Sequence, residues 1–116
     1  MSMMFFADEA EAPLPPREVR ILEAAVQTAP DGRRVALHIL LTPFLEYPNL
    51  EITLLRPDGS EERSLSVIGA MERRLALTLH VAQPESNGFY TVRLELQHDG
   101  EILQTQTVSF SMPATG

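Results

Sequence analysis

YTVRLELQ, residues 90–97, is the stretch that decides the fold, because polar and apolar side chains alternate along its whole length. An alternation of period two is typical of a β-strand that buries one face and leaves the other wetter. The tripeptide His98-Asp99-Gly100 follows, and Asp-Gly favours the tight turn of a β-hairpin. This stretch therefore predicts a strand that turns back to pair with an antiparallel neighbour.

The same alternation recurs through most of the chain and predicts seven strands. Two more Asp-Gly pairs, at residues 31–32 and 58–59, lie between alternating segments and predict two further hairpins. The other connections lack hairpin chemistry, so we expect them to cross between two sheets. The predicted strands are A (17–29), B (34–42), C (49–56), C′ (61–68), E (73–82), F (88–97) and G (101–112). Strand A is irregular, and it is either an edge strand with a bulge or, as the rival interpretation, a helix over residues 18–27.

This order of hairpins and crossings predicts an all-β fold, a single seven-stranded antiparallel Greek-key sandwich of immunoglobulin-like type. Strands A, B and E form one sheet, and strands C′, C, F and G form the other. The inward positions Leu37, Ile52, Leu77 and Val92 are expected to be nearly inaccessible to solvent. Residues 1–16 are rich in Pro and differ in composition from the rest, so we interpret them as an N-terminal arm. The domain then spans residues 17–113, and residues 114–116 are a tail.

The segment 86–92, SNGFYTV, resembles the tyrosine corner of immunoglobulin and fibronectin type III domains. Gly88, Tyr90 and Val92 match its pattern of a Gly two residues before the Tyr and an apolar residue two after it. The resemblance implies that the Tyr90 ring fills one end of the core and that its hydroxyl bonds backbone at residues 83–88. Antibody domains also carry a Cys pair and a core Trp, which this chain lacks, so a cysteine-free, fibronectin-like sandwich fits better.

Composition excludes several classes of protein. The 116 residues include nine Arg, no Lys and 16 Asp plus Glu, which gives a net charge of −7, the wrong sign for binding a nucleic-acid backbone. No apolar run approaches the ~20 residues that a membrane helix needs. The absence of Cys excludes disulfides and thiolate metal sites. We expect a bacterial, cytoplasmic protein that binds neither nucleic acid nor membrane.

Catalytic and metal-binding chemistry is not visible in the sequence. It contains no Gly-x-Ser-x-Gly elbow and no glycine-rich phosphate loop, so we expect no enzyme activity, no catalytic residues and no cofactor. His38 and His80 face outward from the adjacent strands B and E, where a diagonal placement separates two side chains by ~7–8 Å. Zinc needs a third and a fourth ligand, and the neighbouring outward residues supply no carboxylate. We therefore expect no metal site.

The outer face of the A–B–E sheet is the feature that suggests a function. Its centre has small and apolar residues, and such a face is covered or an interface, unless its Ala and Thr residues are simply tolerated on an exposed surface. The apolar start of the arm is the natural cover, and we expect it to pack there across a homodimer rather than within one chain. The residues of this expected interface are Met3, Met4, Phe5, Phe6, Ala36, His38, Leu40, Ala76, Thr78 and His80.

These observations predict a non-catalytic protein-interaction or accessory module whose protein partner the sequence does not name. The alternative is a small-ligand or carbohydrate-binding domain. That alternative needs exposed aromatic side chains around a concave face, and Phe44, Tyr47 and Phe89 are the candidates.

Overall fold

The computed structural model describes residues 12–81 and 88–112, and nearly all of their regular structure is β-strand. A short 3₁₀ turn at Pro16–Glu18 precedes the strands. The strands are β1 (Ile21–Thr28), β2 (Arg34–Leu41), β3 (Asn49–Leu55), β4 (Glu61–Val67), β5 (Arg74–His80), β6 (Tyr90–His98) and β7 (Glu101–Phe110). Residues 1–11 of the arm and the tail at 114–116 lie outside the described residues. Within those residues, no helix is long and apolar enough to cross a membrane.

The seven strands form two antiparallel sheets in the order predicted from the sequence. One sheet has three strands in the order β1-β2-β5, and the other has four in the order β4-β3-β6-β7. Strands β1 to β7 correspond in sequence to A, B, C, C′, E, F and G, so the all-β sandwich and its division into two sheets are confirmed. The three predicted hairpins connect β1 to β2, β3 to β4 and β6 to β7, and the other connections cross between the sheets.

The β6–β7 hairpin has the tightest of the three turns. Asp99 and Gly100 both have positive φ angles, of 50° and 78°, which is the requirement of a two-residue type I′ turn. In the β3–β4 hairpin Gly59 alone turns positive, at 89°, while the Asp58 carboxylate accepts hydrogen bonds from the Ser60 backbone N–H and hydroxyl. The Asp-Gly dipeptide therefore forms two kinds of turn. In the longer β3–β4 loop Asp58 keeps a negative φ angle, whereas in the β6–β7 turn Asp99 has a positive one.

Strand β1 is the irregular edge strand that the sequence predicted. Its pairing with β2 shifts between Ile21 and Glu23, so Leu22 is the extra residue of a bulge and points into solvent. The Ile21 N–H donates a hydrogen bond to the Gln104 side chain of β7 at 2.7 Å, and this bond connects the edges of the two sheets. The helix alternative for residues 18–27 is wrong, and strand A begins at Ile21 rather than at residue 17. The preceding residues form the 3₁₀ turn because Pro16 fixes φ at a value suited to a helical first position.

The inward faces of the two sheets pack into one apolar core. Leu37, Ile52 and Val92 are buried as expected, together with the Tyr90 ring. Leu77 is an exception to the expectation, because it is only partly buried. It lies on β5, which is the edge strand of the three-stranded sheet, and no neighbouring strand covers its outer side.

The two ends of the sandwich carry different loops. At the end that we call proximal lie residues 42–48, residues 68–73 and the β6–β7 turn. At the opposite, distal end lie the β1–β2 and β3–β4 turns and the start of β6. The chain enters the domain at the proximal end, where Leu14 forms a parallel bridge with Phe44.

Candidate interaction surfaces

The outer face of the three-stranded sheet brings together the residues expected there from the sequence. Across the strands, His38 of β2 lies opposite Ala25 of β1 and Ala76 of β5. The next outward position toward the proximal end is Leu40, flanked by one charged residue on each neighbouring strand. The residues named from the sequence on this face are Ala36, His38, Leu40, Ala76, Thr78 and His80, all in outward register positions of β2 and β5.

A concavity of about 230 Å³ occupies the proximal half of this face. It forms because the Ala25 and Ala76 side chains, on either side of His38, are short and leave space beside the His38 ring. Glu23 and Arg74 lie at its proximal border, on either side of Leu40. We call this concavity the sheet-face depression. The alternation of β2 and β5 indicates His38, Leu40 and Ala76, but it does not indicate the concavity, which also needs Ala25 of β1.

The sheet-face depression offers both charge and apolar surface to a ligand. Among the described residues, neither the Arg74 guanidinium nor the His38 ring has a hydrogen-bonding or ion-pairing side chain as a partner. By contrast, Arg34 at the distal border of the face donates to the Asp31 carboxylate at 2.8 Å. The depression is therefore the part of this face where a cationic side chain is available to an acidic group.

The two histidines of this face are farther apart than expected. His38 pairs with Ala76, and His80 lies four residues farther along β5, beside Arg34. Four residues of strand correspond to about 14 Å, so the predicted diagonal placement is wrong. In residues 12–81 and 88–112, no group of three or more His, Cys, Asp or Glu side chains is placed to hold a metal ion.

The proximal end carries an apolar patch that sequence analysis missed. Its four large side chains are exposed, and we call them the end patch: Leu45, Tyr47, Ile68 and Met71. The two loops that bear them are joined by hydrogen bonds, from the Gly69 N–H to the Asn49 side chain at 2.7 Å and from the Ala70 N–H to the Pro48 carbonyl at 2.8 Å. Large apolar residues within predicted loops were the available signal, because a connecting loop that only joins two strands needs none of them.

A second concavity, of about 620 Å³, lies at the proximal end between the 3₁₀ turn and the β6–β7 hairpin. Several of its polar side chains have partners. The Arg17 guanidinium contacts the Glu101 carboxylate at 3.2 Å, and His98 Nε2 lies 3.1 Å from Glu46 Oε1. The Arg17–Glu101 pair connects the chain entry to the β6–β7 hairpin, and the His98–Glu46 contact connects that hairpin to the loop at residues 42–48, so we interpret both as structural.

The aromatic residues considered for a carbohydrate site do not converge on one surface. Phe44 and Tyr47 pack edge to face at the proximal end, with ring centroids 6.2 Å apart. Phe89 is exposed just before β6, at the distal end. Among these three candidates, an aromatic platform therefore involves the Phe44–Tyr47 pair without Phe89.

The tyrosine-corner residues have the expected positions in the core. Tyr90 is fully buried and stacks on Phe110 with ring centroids 5.6 Å apart, and Val92 is fully buried as well. Gly88 has a φ of +86°. The expected bond from the Tyr90 hydroxyl to backbone at residues 83–88 involves a segment mostly outside the described residues, so it stays a prediction.

Comparisons with known proteins show a shared fold. No protein-family model matches the chain, and no curated protein matches it. Among solved structures, the β-glucuronidase of Parabacteroides merdae superimposes with a TM-score of 0.69 at 11% identity, over 81% of this chain and 14% of that one. β-Glucuronidase 3 of Bacteroides uniformis gives 0.61 at 19% identity, over 80% and 12%. A glycosyl hydrolase family 2 member from Bacteroides cellulosilyticus gives 0.57 at 12% identity, over 81% and 15%.

The chain thus spans only a small share, 12–15%, of each of these three proteins. Sequence identities this low establish the β-sandwich fold alone, and a fold by itself does not define an activity.

Proposed function

We propose that this chain is a non-catalytic accessory module that docks onto a protein partner through the end patch at its proximal end. The observation that carries the proposal is the distribution of exposed large apolar side chains in residues 12–81 and 88–112. Seven such side chains are exposed, and six of them lie at or next to the proximal end; the exception is Phe89. Clustered exposed apolar side chains are typical of interaction surfaces, whereas isolated ones need no explanation.

The comparisons support an accessory role and suggest the class of partner. In each glycoside hydrolase that it resembles, the fold of this chain accounts for a minor part of the protein. A sandwich of this size resembles a component of a larger carbohydrate-active assembly more than a whole enzyme. We therefore propose a carbohydrate-active enzyme as the partner, and we expect the purified chain to leave a chromogenic glucuronide unhydrolysed.

A capture experiment with matched variants tests the docking surface. Ile68→Ser and Met71→Ser change side chains that are 76% and 73% exposed, so they should remove apolar contact area with little effect on folding. Phe89→Ser is the control, because its side chain is equally prominent but lies at the distal end. Each immobilised variant is incubated with an extract of the source organism, and the bound proteins are identified by mass spectrometry.

The proposal predicts a partner that binds the unchanged chain and the Phe89→Ser control but is lost from the Ile68→Ser/Met71→Ser double variant. Thermal unfolding of all three proteins checks that the double variant is folded. If a partner binds all three proteins equally well, the end patch is not the docking surface.

The carbohydrate-binding alternative rests on one observation, the exposed Tyr47 ring supported edge to face by Phe44. Aromatic faces of this kind can pack against the apolar side of a sugar ring. Titration of the labelled chain with glucuronic acid and with a β-glucuronide, followed by NMR, tests this function. Shifts that cluster around Tyr47 and disappear in Tyr47→Ala would support carbohydrate binding, whereas an unchanged spectrum at millimolar sugar would exclude it.

A further inference from the structure

The N-terminal segment and the sheet-face depression have complementary chemistry. The depression combines apolar and small residues with an Arg74 guanidinium that has no partner among the described residues. The sequence before Ala12 has two parts, the apolar run Met3-Met4-Phe5-Phe6 and then the acidic residues Asp8, Glu9 and Glu11. One part matches the apolar surface of the depression, and the other can pair with Arg74, which lies on the far side of Leu40 from the Glu23 carboxylate.

The chain enters the domain at the end of the sheet where this depression lies. The Leu14 N–H donates to the Pro43 carbonyl at 3.1 Å, and the Leu45 N–H donates to the Leu14 carbonyl at 3.0 Å. These bonds hold Leu14 beside residues 43–45, just beyond the end of β2 and at the same end of the sheet as Leu40 and Arg74. Because Leu14 pairs with Phe44 in parallel, the chain on the N-terminal side of Leu14 is directed back toward β2.

The order of residues along the segment agrees with the order of features on the face. The acidic residues are three to six positions from Leu14, and Arg74 lies in the row of the face nearest to Leu14. The apolar run is farther from Leu14, and the Ala25–His38–Ala76 row is the next row along the face. A chain that runs from Leu14 across the face therefore brings its acidic residues to the row of Arg74 first and its apolar residues to the next row.

The segment is also long enough to cover the face of its own domain. Met3 and Leu14 are eleven residue steps apart, and at ~3.3 Å per step they can be up to ~36 Å apart. The face measures only about 20 Å from Leu40 to Arg34, six residues along β2. A tethered segment has an effective concentration in the millimolar range, which favours the intramolecular contact over exchange with a second chain.

We propose that residues 3–11 cover the outer face of the three-stranded sheet of their own chain, with the acidic residues against Arg74 and the Met and Phe side chains over the sheet-face depression. The sequence alone had favoured exchange between two copies. The position at which Leu14 is held changes the proposal to a cover within one chain. This surface is separate from the end patch, so the two proposals can fail independently.

Comparison of the full chain with a chain that begins at Ala12 tests this cover. The shorter chain keeps Leu14 and its two backbone bonds. In ¹⁵N–¹H spectra, removal of residues 1–11 should shift the amide signals of Ala25, His38 and Ala76. The signals of Thr53 and Glu95, which face outward from the other sheet, should remain in place. Adding a synthetic peptide of residues 1–12 to the shorter chain should shift the same three signals back.

A charge reversal in the full chain gives a second test that does not depend on truncation. Arg74→Glu should reduce the population of the covered state, and it should weaken peptide binding by about two- to fivefold, the usual effect of one exposed ion pair. Arg33→Glu makes the same change of charge at the distal end and should have no such effect. Unchanged face signals in the truncated chain would refute the cover. A doubled mass in light scattering for the full chain but not for the truncated one would also refute it, because the segments would then be exchanged between two copies.

Discussion

Replacement of Gly88 by Ala tests the geometry of the tyrosine corner, with Gly59 as a matched control. Both glycines have nearly the same positive φ angle, +86° for Gly88 and +89° for Gly59. Their surroundings differ. A Cβ atom added at Gly59 would meet nothing within 4 Å, whereas one added at Gly88 would lie 3.0 Å from the Cβ of Pro57. The pair of variants therefore separates the cost of the backbone conformation from the cost of the contact.

The expected losses of unfolding free energy follow from the cost of the backbone conformation and the cost of the contact. An Ala residue in the left-handed region costs about 1–2 kcal/mol, and loss of the flexible Gly from the unfolded chain offsets about 0.4–1 kcal/mol of this. Gly59→Ala should thus lower the free energy of unfolding by about 1 kcal/mol. Gly88→Ala has the same two terms and an added cost of about 1–3 kcal/mol for overpacking, because the Pro57 ring is rigid and cannot rotate away.

Urea denaturation followed by far-UV circular dichroism measures both values. We expect the unfolding midpoint of Gly88→Ala to lie clearly below that of Gly59→Ala, with the same dependence on urea concentration. If the two variants are equally stable, the corner does not pack closely on the β3–β4 turn, and the reasoning from this contact is refuted.

Three further predictions concern the core, the Tyr90 hydroxyl and acid stability. Leu37→Ala should cost about 2–5 kcal/mol of unfolding free energy and Leu77→Ala roughly half as much, because Leu77 is only partly buried on its edge strand; equal losses in urea denaturation would contradict this. Tyr90→Phe should cost on the order of 1 kcal/mol through loss of the predicted hydrogen bond, and an unchanged midpoint would show that this bond does not stabilise the fold. Hydrogen bonds from the Ser60 hydroxyl and N–H lower the pKa of Asp58 below its ordinary value of 3.8, so its ionised form stabilises the fold above that pH and this contribution disappears as the pH falls further. Asp58→Asn should accordingly be less stable than the unchanged chain at neutral pH, and the difference should shrink in urea titrations below about pH 4.

The fold could be predicted from the sequence because its signals are local. Alternation along β6, and the Asp-Gly turns at three positions, determine strand faces and hairpins from near neighbours in the chain. The burial of Leu77 could not be predicted in the same way, because alternation identifies the inward face of a strand but not whether another strand covers it. The start of β1 at Ile21 rather than at residue 17 also has a cause that alternation does not show, because Pro16 favours a 3₁₀ turn there. The bulge at Leu22 depends on the pairing of β1 with β2, which is not a local property of the sequence.

The candidate surfaces were less predictable than the fold because they combine residues from distant segments. The outward residues of β2 and β5 followed from alternation, but the sheet-face depression also needs Ala25 from the strand whose register was irregular. The separation of His38 and His80 depends on how β2 and β5 are aligned, and strand alternation alone does not determine that register. The large apolar residues within each crossing loop are a local signal, but the end patch also depends on the contact between the two loops, which neither loop's sequence indicates.

The turn at Asp99-Gly100 has a consequence for the chemical ageing of the protein. An Asp-Gly bond isomerises when the glycine nitrogen attacks the aspartate carboxyl group and a succinimide ring forms. At Asp58-Gly59 this attack is hindered, because the Gly59 N–H is bonded to the Arg56 carbonyl and Ser60 holds the carboxylate. The Asp99 side chain is 90% exposed. In the part of the chain that the structure describes, the Gly100 N–H has no comparable backbone acceptor. On prolonged storage, isoaspartate should therefore accumulate first at residue 99, where peptide mapping can detect it, and the extra backbone carbon would disrupt the two-residue turn between β6 and β7.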